Sequence, residues 1–232
     1  MAEHSPSSPD FAHQLAGVVH DLRQPLDALA IYAEMLSTDP SQASELAPRM
    51  LRAVASAQGL ARSLQDFAAL RARGASQARA AAVNVSALLA DLAAIHEPLA
   101  RQKGLEWRVH LLDATLRTDV LLLRRLLGNL LANAVRYTER GGVLLAVRRR
   151  GGGLAFEVWD TGRGIAPADQ QRVFEPFVRL GGTEEVGGEG AGLGLAVVRE
   201  LADQLGGVLA LRSQPGRGSV FRVTFNRLSA GR

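Results

Sequence analysis

VVHDLRQPL, residues 18 to 26, sets a histidine, an acidic neighbour and a proline inside a stretch whose apolar residues otherwise recur at helical spacing. If the proline breaks the stretch, the first third of the chain is a set of short helices. If the helix runs through it, that third is one long arm followed by another. The apolar positions decide for the long arm. They run Phe11, Leu15, Val18, Leu22, Leu26, Leu29, Ala33 and Leu36, mostly in alternating steps of four and three, the rhythm of one helix face. Ser8 and Pro9 suit the N-cap and the first helical position. A second series, Leu46, Met50, Ala53, Ala57, Leu60, Leu64 and Phe67, keeps the rhythm after a short break at residues 37 to 40, and Gly74 stops it. The expectation is an antiparallel hairpin over residues 1 to 74. A single hairpin leaves its seam half exposed, and pairing two chains into a four-helix bundle would cover it.

His20 lies two residues from both Val18 and Leu22, about 200° round the helix from each, and so points away from the seam. Alone it reads as a solvated surface histidine, as His13 does on the same face. Asp21 and Pro25 add chemistry. A carboxylate beside an imidazole can hold the tautomer that leaves the other ring nitrogen free as a nucleophile, and can stabilise the charge that develops. Pro25 lacks an amide donor and strips the Asp21 carbonyl of its helical partner, which costs about 3 kcal/mol in a helix interior. Either the kink is simply tolerated, or the helix needs to bend one turn after the His-Asp pair.

Length favours two compact units, since 232 residues are many for one small domain and few for three. Apolar residues make up 47%, enough for cores, but charge interrupts every long apolar run, as in VLLLRRLLGNLLANAV, and the start MAEHSPSSPD has no apolar signal region. No transmembrane span is expected, and a cytoplasmic protein is. With no cysteine there is neither a disulfide framework nor a thiolate metal site, and the five histidines form no HExxH pair. The net charge is only +4. The basic cluster Arg148 to Arg150 runs into Gly151 to Gly153 as the tip of a strand pair, and aromatics are few, so nucleic acid is not an expected partner.

After a linker at residues 75 to 82 the pattern changes. Helices are expected at about 86 to 102, 119 to 137 and 193 to 205, and strands at 105 to 111, 143 to 149, 154 to 160, 208 to 213 and 219 to 225. Residues 83 to 232 then form a mixed sheet with helices on one face, and the whole chain is of α+β class. Four segments of this half carry chemistry. In NLLANAVRYT, residues 129 to 138, Asn129 and Asn133 share a helix face with Arg136 and, at its edge, Tyr137. Amide oxygens suit a magnesium ion otherwise held by phosphates and water, and the alternative is a polar face that merely meets solvent; asparagine is a poor helix former and costly to bury unpaired. In DTGRGI, residues 160 to 165, Asp160 can accept from an exocyclic amine such as that of adenine, while Gly162 and Gly164 let the backbone come close; an ordinary strand-end turn is the alternative. FEPFVRL, residues 174 to 180, leads into GGTEEVGGEG, which reads as a lid. GAGLGLAVV, residues 190 to 198, with Gly190, Gly192 and Gly194, opens a helix whose amides can receive phosphates. It is not a Rossmann fingerprint, and Lys103, the only lysine, completes neither a P-loop nor a protein-kinase site.

On these residues, HDLRQPL resembles the phosphoacceptor motif of sensor histidine kinases, usually HELRTPL or HDLRTPL. The four segments, with GRGSVFRVTF at 216 to 225 as the closing strand, resemble the Bergerat-type ATP-binding domain that those kinases share with type II topoisomerases, heat-shock chaperones and mismatch-repair ATPases. The resemblance covers Phe11 to Phe225. It implies that ATP phosphorylates His20 with the help of Asp21, and that the phosphohistidine donates to an aspartate on a response-regulator receiver domain. It also implies a homodimer through the hairpin; no sensory segment is visible, so either input arrives from a separate sensor or input protein or the chain is an excised piece of something longer. By position, Asn133 is the implied Mg2+ ligand with Asn129 in support, Arg136 meets phosphate, Tyr137 lies against the adenine, and Asp160 reads its amine. Three departures stand out. Gln24 takes the place of a threonine or asparagine implicated in positioning water for dephosphorylation, and its extra methylene shifts the reach. Arg136 replaces a lysine. No basic residue lies between Arg179 and Arg199. A chaperone-like ATPase would share the nucleotide site but would not need His20 or Pro25, and a non-catalytic dimeric scaffold would keep only the hairpin.

Overall fold

The computed structural model describes residues 9–73, 80–178, 180 and 192–226, with the side chains of residues 9–18, 62, 63, 66, 67 and 69–73 left aside. Ser8, Gly74, Gly190 and the lid sequence 181 to 190 lie outside the described residues. Helix α1 spans Pro9–Thr38 and continues through Pro25. Asp39 ends the arm by accepting from the Ser41 amide at 3.0 Å, which caps the short 3-10 turn Pro40–Gln42. Helix α2, Ala43–Arg73, returns. The hairpin expected from the seam is present, with Leu46, Ala53 and Leu60 buried, while Val19, Leu26, Leu51 and Val54 remain exposed on it.

The chain separates into two compact units. The first takes in the hairpin up to Ala69 together with the flanks Phe177 and Leu193. In it Leu60 and Leu193 are buried, and Leu22, Leu64 and Phe177 pack against them. Phe177 and Leu193 group with the hairpin, because these apolar residues find their contacts there.

The second unit begins earlier than expected. Strand β1, Ala81–Asn84, includes Ala81 and Ala82, which composition had put in the linker. It pairs antiparallel with β3, Thr115–Thr118, a strand the sequence did not announce. Between them lie α3, Val85–Gln102, and β2, Glu106–His110. Then follow α4, Val120–Tyr137, β4, Gly142–Arg150, and β5, Gly153–Asp160. Helix α5, Gly194–Gln204, and strands β6, Val208–Gln214, and β7, Gly218–Phe225, complete it. The five-stranded sheet has the order β2-β4-β5-β7-β6, with β2 parallel to β4 and the other pairs antiparallel. It is the mixed sheet of the α+β expectation.

Helix α4 shows how the sequence sets the site. Asp119 caps it, its Oδ1 accepting from the amides of Leu121 and Leu122 at 2.9 and 3.2 Å. Leu122, Leu123, Leu126, Leu127, Leu130, Leu131, Ala134 and Val135 are buried. That is one broad apolar stripe, and truncating one of its central leucines to alanine costs about 3–4 kcal/mol. The stripe fixes the rotation of the helix, so Asn129 and Asn133 are held at its half-buried margin.

Candidate functional site

The acceptor side is simple. His20 stands on α1 with its side chain 69% exposed, and its Nδ1 lies 3.7 Å from Oδ1 of Asp21. The carboxylate thus sits by Nδ1 and leaves Nε2 to solvent. Gln24 is exposed one turn further on, and Pro25 follows.

The nucleotide side lies within the second unit, along α4. Asn129 donates from Nδ2 to the carbonyl of Arg125 at 3.0 Å, which turns its Oδ1 outward. The N-terminus of α5 meets this face. A Cβ built on Gly194 would lie 3.5 and 3.6 Å from the two amide atoms of Asn133 and 3.8 Å from Oδ1 of Asn129. The positive end of α5 and two amide oxygens therefore converge, as a phosphate and metal site needs.

At the other end of α4, about 12 Å from Asn129 by the helical rise, every orphan carbonyl of the last turn has a partner. Thr138 Oγ1 donates to Ala134 O at 2.7 Å. Lys103 Nζ donates to Val135 O, Arg136 O and Thr138 O at 2.8, 2.9 and 3.2 Å. The Arg163 amide donates to Tyr137 O at 3.4 Å. The sole lysine of the chain thus caps the helix that carries Arg136 and Tyr137, with its charge at the negative end of the dipole. Sequence reasoning missed this role because donor and acceptors lie 32 to 35 residues apart.

Asp160 ends β5 beside that helix end. Its Oδ1 accepts from the amides of Gly162 and Ser219 at 2.9 and 3.2 Å. Burial pushes its carboxyl above the ordinary value, against the pull of those donors and the Ser219 hydroxyl. Gly162 is required: a Cβ there would stand 2.3 Å from Tyr137 O. Gly164 is required twice over, with φ +68° and a Cβ position 2.0 Å from Gln214 O. The Tyr137 ring carries Arg136 Cζ 5.4 Å and Arg163 Cζ 4.8 Å from its centroid. Arg163 sits inside the DTGRGI motif, where no local pattern singles it out. Gly192, with φ +66°, accepts from the Phe177 amide at 3.1 Å in the first unit. Gly190 is outside the described residues. The structure thus brings Asn129, Asn133 and Gly194 together, and likewise Tyr137, Asp160 and Gly162.

Two family models match this chain. Residues 118–229 match the model of the histidine kinase-, DNA gyrase B-, and HSP90-like ATPases, and residues 12–73 that of the His Kinase A (phospho-acceptor) domain. The virulence sensor protein BvgS of Bordetella bronchiseptica is 34% identical over 226 residues, 90% of this chain and 18% of that one. The sensor-like histidine kinase SenX3 of Mycolicibacterium smegmatis is 33% identical over 97% of this chain and 59% of that one. The chain thus spans less than two thirds of these relatives. Among solved structures, full-length ShkA in complex with AMPPNP is 32% identical with a TM-score of 0.67, over 95% of this chain and 47% of that one. The histidine kinase AdeS of Acinetobacter baumannii shares the fold at 22% identity and a TM-score of 0.68, over 89% of this chain and 96% of that one. A phosphoacceptor hairpin and a nucleotide site in one chain, each matched by its own model, make this chain a member of the sensor histidine kinase family, of which it carries the catalytic core.

Proposed function

We propose that the chain is an ATP-dependent protein-histidine kinase that phosphorylates His20 and then passes the phosphoryl group to an aspartate on a response-regulator receiver domain. The observation that carries this reading is an exposed imidazole whose Nδ1 faces a carboxylate, on a hairpin joined to an Asn-Gly-Asp nucleotide site.

The adenine lies against Tyr137, where it competes with the guanidinium groups of Arg136 and Arg163 for the ring, and its exocyclic amine donates to Asp160. The phosphates extend along α4 toward Asn133 and the amides of α5, and Arg136, freed from the ring, reaches them. Among the described residues no three acidic, histidine or cysteine side chains are grouped to hold a metal. The amide oxygens of Asn133 and Asn129 fit a magnesium ion whose other ligands are phosphate oxygens and water. Such an ion, when bound, screens the phosphate charge. Asp21 holds the proton on Nδ1 of His20, and Nε2 attacks the γ-phosphorus in line. The N–P bond forms as the bond to the β,γ-bridging oxygen breaks, and ADP leaves with the bond pair. Positioning and electrostatics supply most of the rate.

A homodimer follows from the hairpin, because Val19, Leu26, Leu51 and Val54 are exposed on helices that a second copy would cover. No described helix is long and apolar enough to cross a membrane. Dependence on ATP and a receiver domain puts the reaction in the cytoplasm, with the signal arriving from a sensor segment or partner. Incubation with γ-labelled ATP tests the reading. The kinase gives acid-labile, alkali-stable label on protein that His20→Asn abolishes. Free phosphate without protein label would make the chain an ATPase instead.

A further inference from the structure

The sheet of the second unit has two unlike faces. Val143, Leu145, Phe156, Val158, Phe221 and Val223 are buried on the helix side. On the other side the register lines up one residue from each strand: Arg108 with Leu144, Leu144 with Trp159, Trp159 with Val220, and Val220 with Arg212. Neighbours in register point to the same face, so this is a continuous row of apolar residues with an arginine at each end. The row floors a cavity of about 550 Å3, with Arg217 at its rim.

Trp159 is the centre of that row and is 38% exposed. Its ring is held. The indole Nε1 donates to Oε2 of Glu157 at 3.0 Å, and Glu157, only 3% exposed, is itself bound by Arg222 Nε at 2.6 Å and approached by Arg148 Nε at 3.7 Å. A partly exposed tryptophan fixed before any partner arrives, with arginines around it, is the composition of an interface hot spot with little ordering cost left. The charge around it is positive. Arg108 is matched by Glu106 at 3.0 Å, but Arg212 and Arg217 make no ion pair among the described residues. Asp160 spends its Oδ1 on backbone amides.

We propose that this groove docks an extended acidic segment of a partner protein, with one large apolar side chain seated on Trp159 and a carboxylate toward each edge strand. The geometry sets the spacing. Four strand separations of about 4.8 Å put the edge strands about 19 Å apart, and in the polyproline II conformation, at three residues per turn and about 3.1 Å per residue, side chains three apart share one face and lie about 9 Å from one another, half that span. The recognised pattern is an acid, two spacers, an aromatic or leucine, two spacers, and an acid. The row itself shares no residue with the nucleotide reading, although Asp160 and Ser219 line the same cavity, and its test uses no nucleotide.

The test is an NMR titration of the 232-residue chain with the peptide acetyl-Glu-Ser-Ser-Phe-Ser-Ser-Glu-amide, observing the Trp159 indole N–H and the amides of Leu144, Arg212 and Val220. Saturable shifts confined to this row are expected at sub-millimolar to millimolar peptide. The double variant Arg108→Glu, Arg212→Glu, with folding checked by circular dichroism, should weaken them about tenfold, as should replacing the phenylalanine by alanine. The proposal is overturned if the row does not respond, or if the peptide with lysine in place of glutamate or a single-stranded oligonucleotide shifts it equally. It is also overturned if the double variant binds as well as the parent, or if the row is already covered by a second copy in the free protein, seen as concentration-dependent broadening of the same signals.

Discussion

Replacing Asp160 by asparagine separates reading the adenine from holding the fold. In the protein, Oδ1 takes the amides of Gly162 and Ser219, and Oδ2 takes neither. An asparagine at this position keeps its single oxygen on those two donors, so its Nδ2 faces the purine amine, donor against donor. Losing a hydrogen bond to a charged acceptor costs about 1.5–3 kcal/mol, a roughly 10- to 150-fold rise in nucleotide Kd. Stability moves the other way. Burial raises the Asp160 pKa, so the folded state binds its proton more tightly than the unfolded chain does. That contribution is present below the ordinary carboxylate value and is lost as pH rises through the raised one, so at neutral pH the ionised side chain burdens the fold. The variant should therefore keep or raise its Tm at neutral pH. The wild-type protein should recover relative to it as pH falls toward about 4. Calorimetric titration with a non-hydrolysable ATP analogue, alongside thermal melts at several pH values, reads both quantities. Nucleotide binding within about threefold of wild type, or a fall in Tm that tracks the loss of binding, would refute the reasoning.

Two further outcomes follow from buried or capping groups. Lys103→Met removes the three bonds to the end of α4 and should destabilise the second unit by about 1–2 kcal/mol in urea denaturation, with a several-fold loss of nucleotide affinity through Arg136 and Tyr137. An unchanged midpoint would make the cap inconsequential. His96 is buried, its Nδ1 has no partner among the described residues, and desolvation lowers its pKa, so its contribution is intact above about pH 6.5 and is lost as pH falls from there through the lowered folded value, at up to about 1.4 kcal/mol per pH unit. His96→Leu should flatten the stability profile over that range, and an equally steep variant profile would assign the slope elsewhere.

The parts of the fold with a strong period were legible. The leucines of α4 and the seams of α1 and α2 have the spacing of one face, and the glycines after Arg150 mark the hairpin between β4 and β5. What was missed depends on partners far along the chain. Ala81–Asn84 buries only Val83 and reads as alanine-rich linker; it is a strand because Thr115–Thr118 pairs with it. The capping role of Lys103 has no local signal, and the grouping of Leu193 and Phe177 with the hairpin comes from packing on Leu60 and Leu64. The candidate site was more legible than its supports. Asn129, Asn133, Asp160 and Gly162 could be picked out because each residue type is anomalous where it stands, whereas Arg163 and Ser219 are ordinary in sequence and matter only by position.

The central claim is that Nε2 of His20 receives the phosphoryl group because Asp21 occupies the side of Nδ1. Phosphorus NMR of the 15N-histidine-labelled protein after reaction with ATP, with N–P coupling used to assign the bonded nitrogen, tests it directly. The account predicts one phosphohistidine, at Nε2 of His20, absent in His20→Asn. Phosphorylation at Nδ1, at another residue, or nowhere would contradict it.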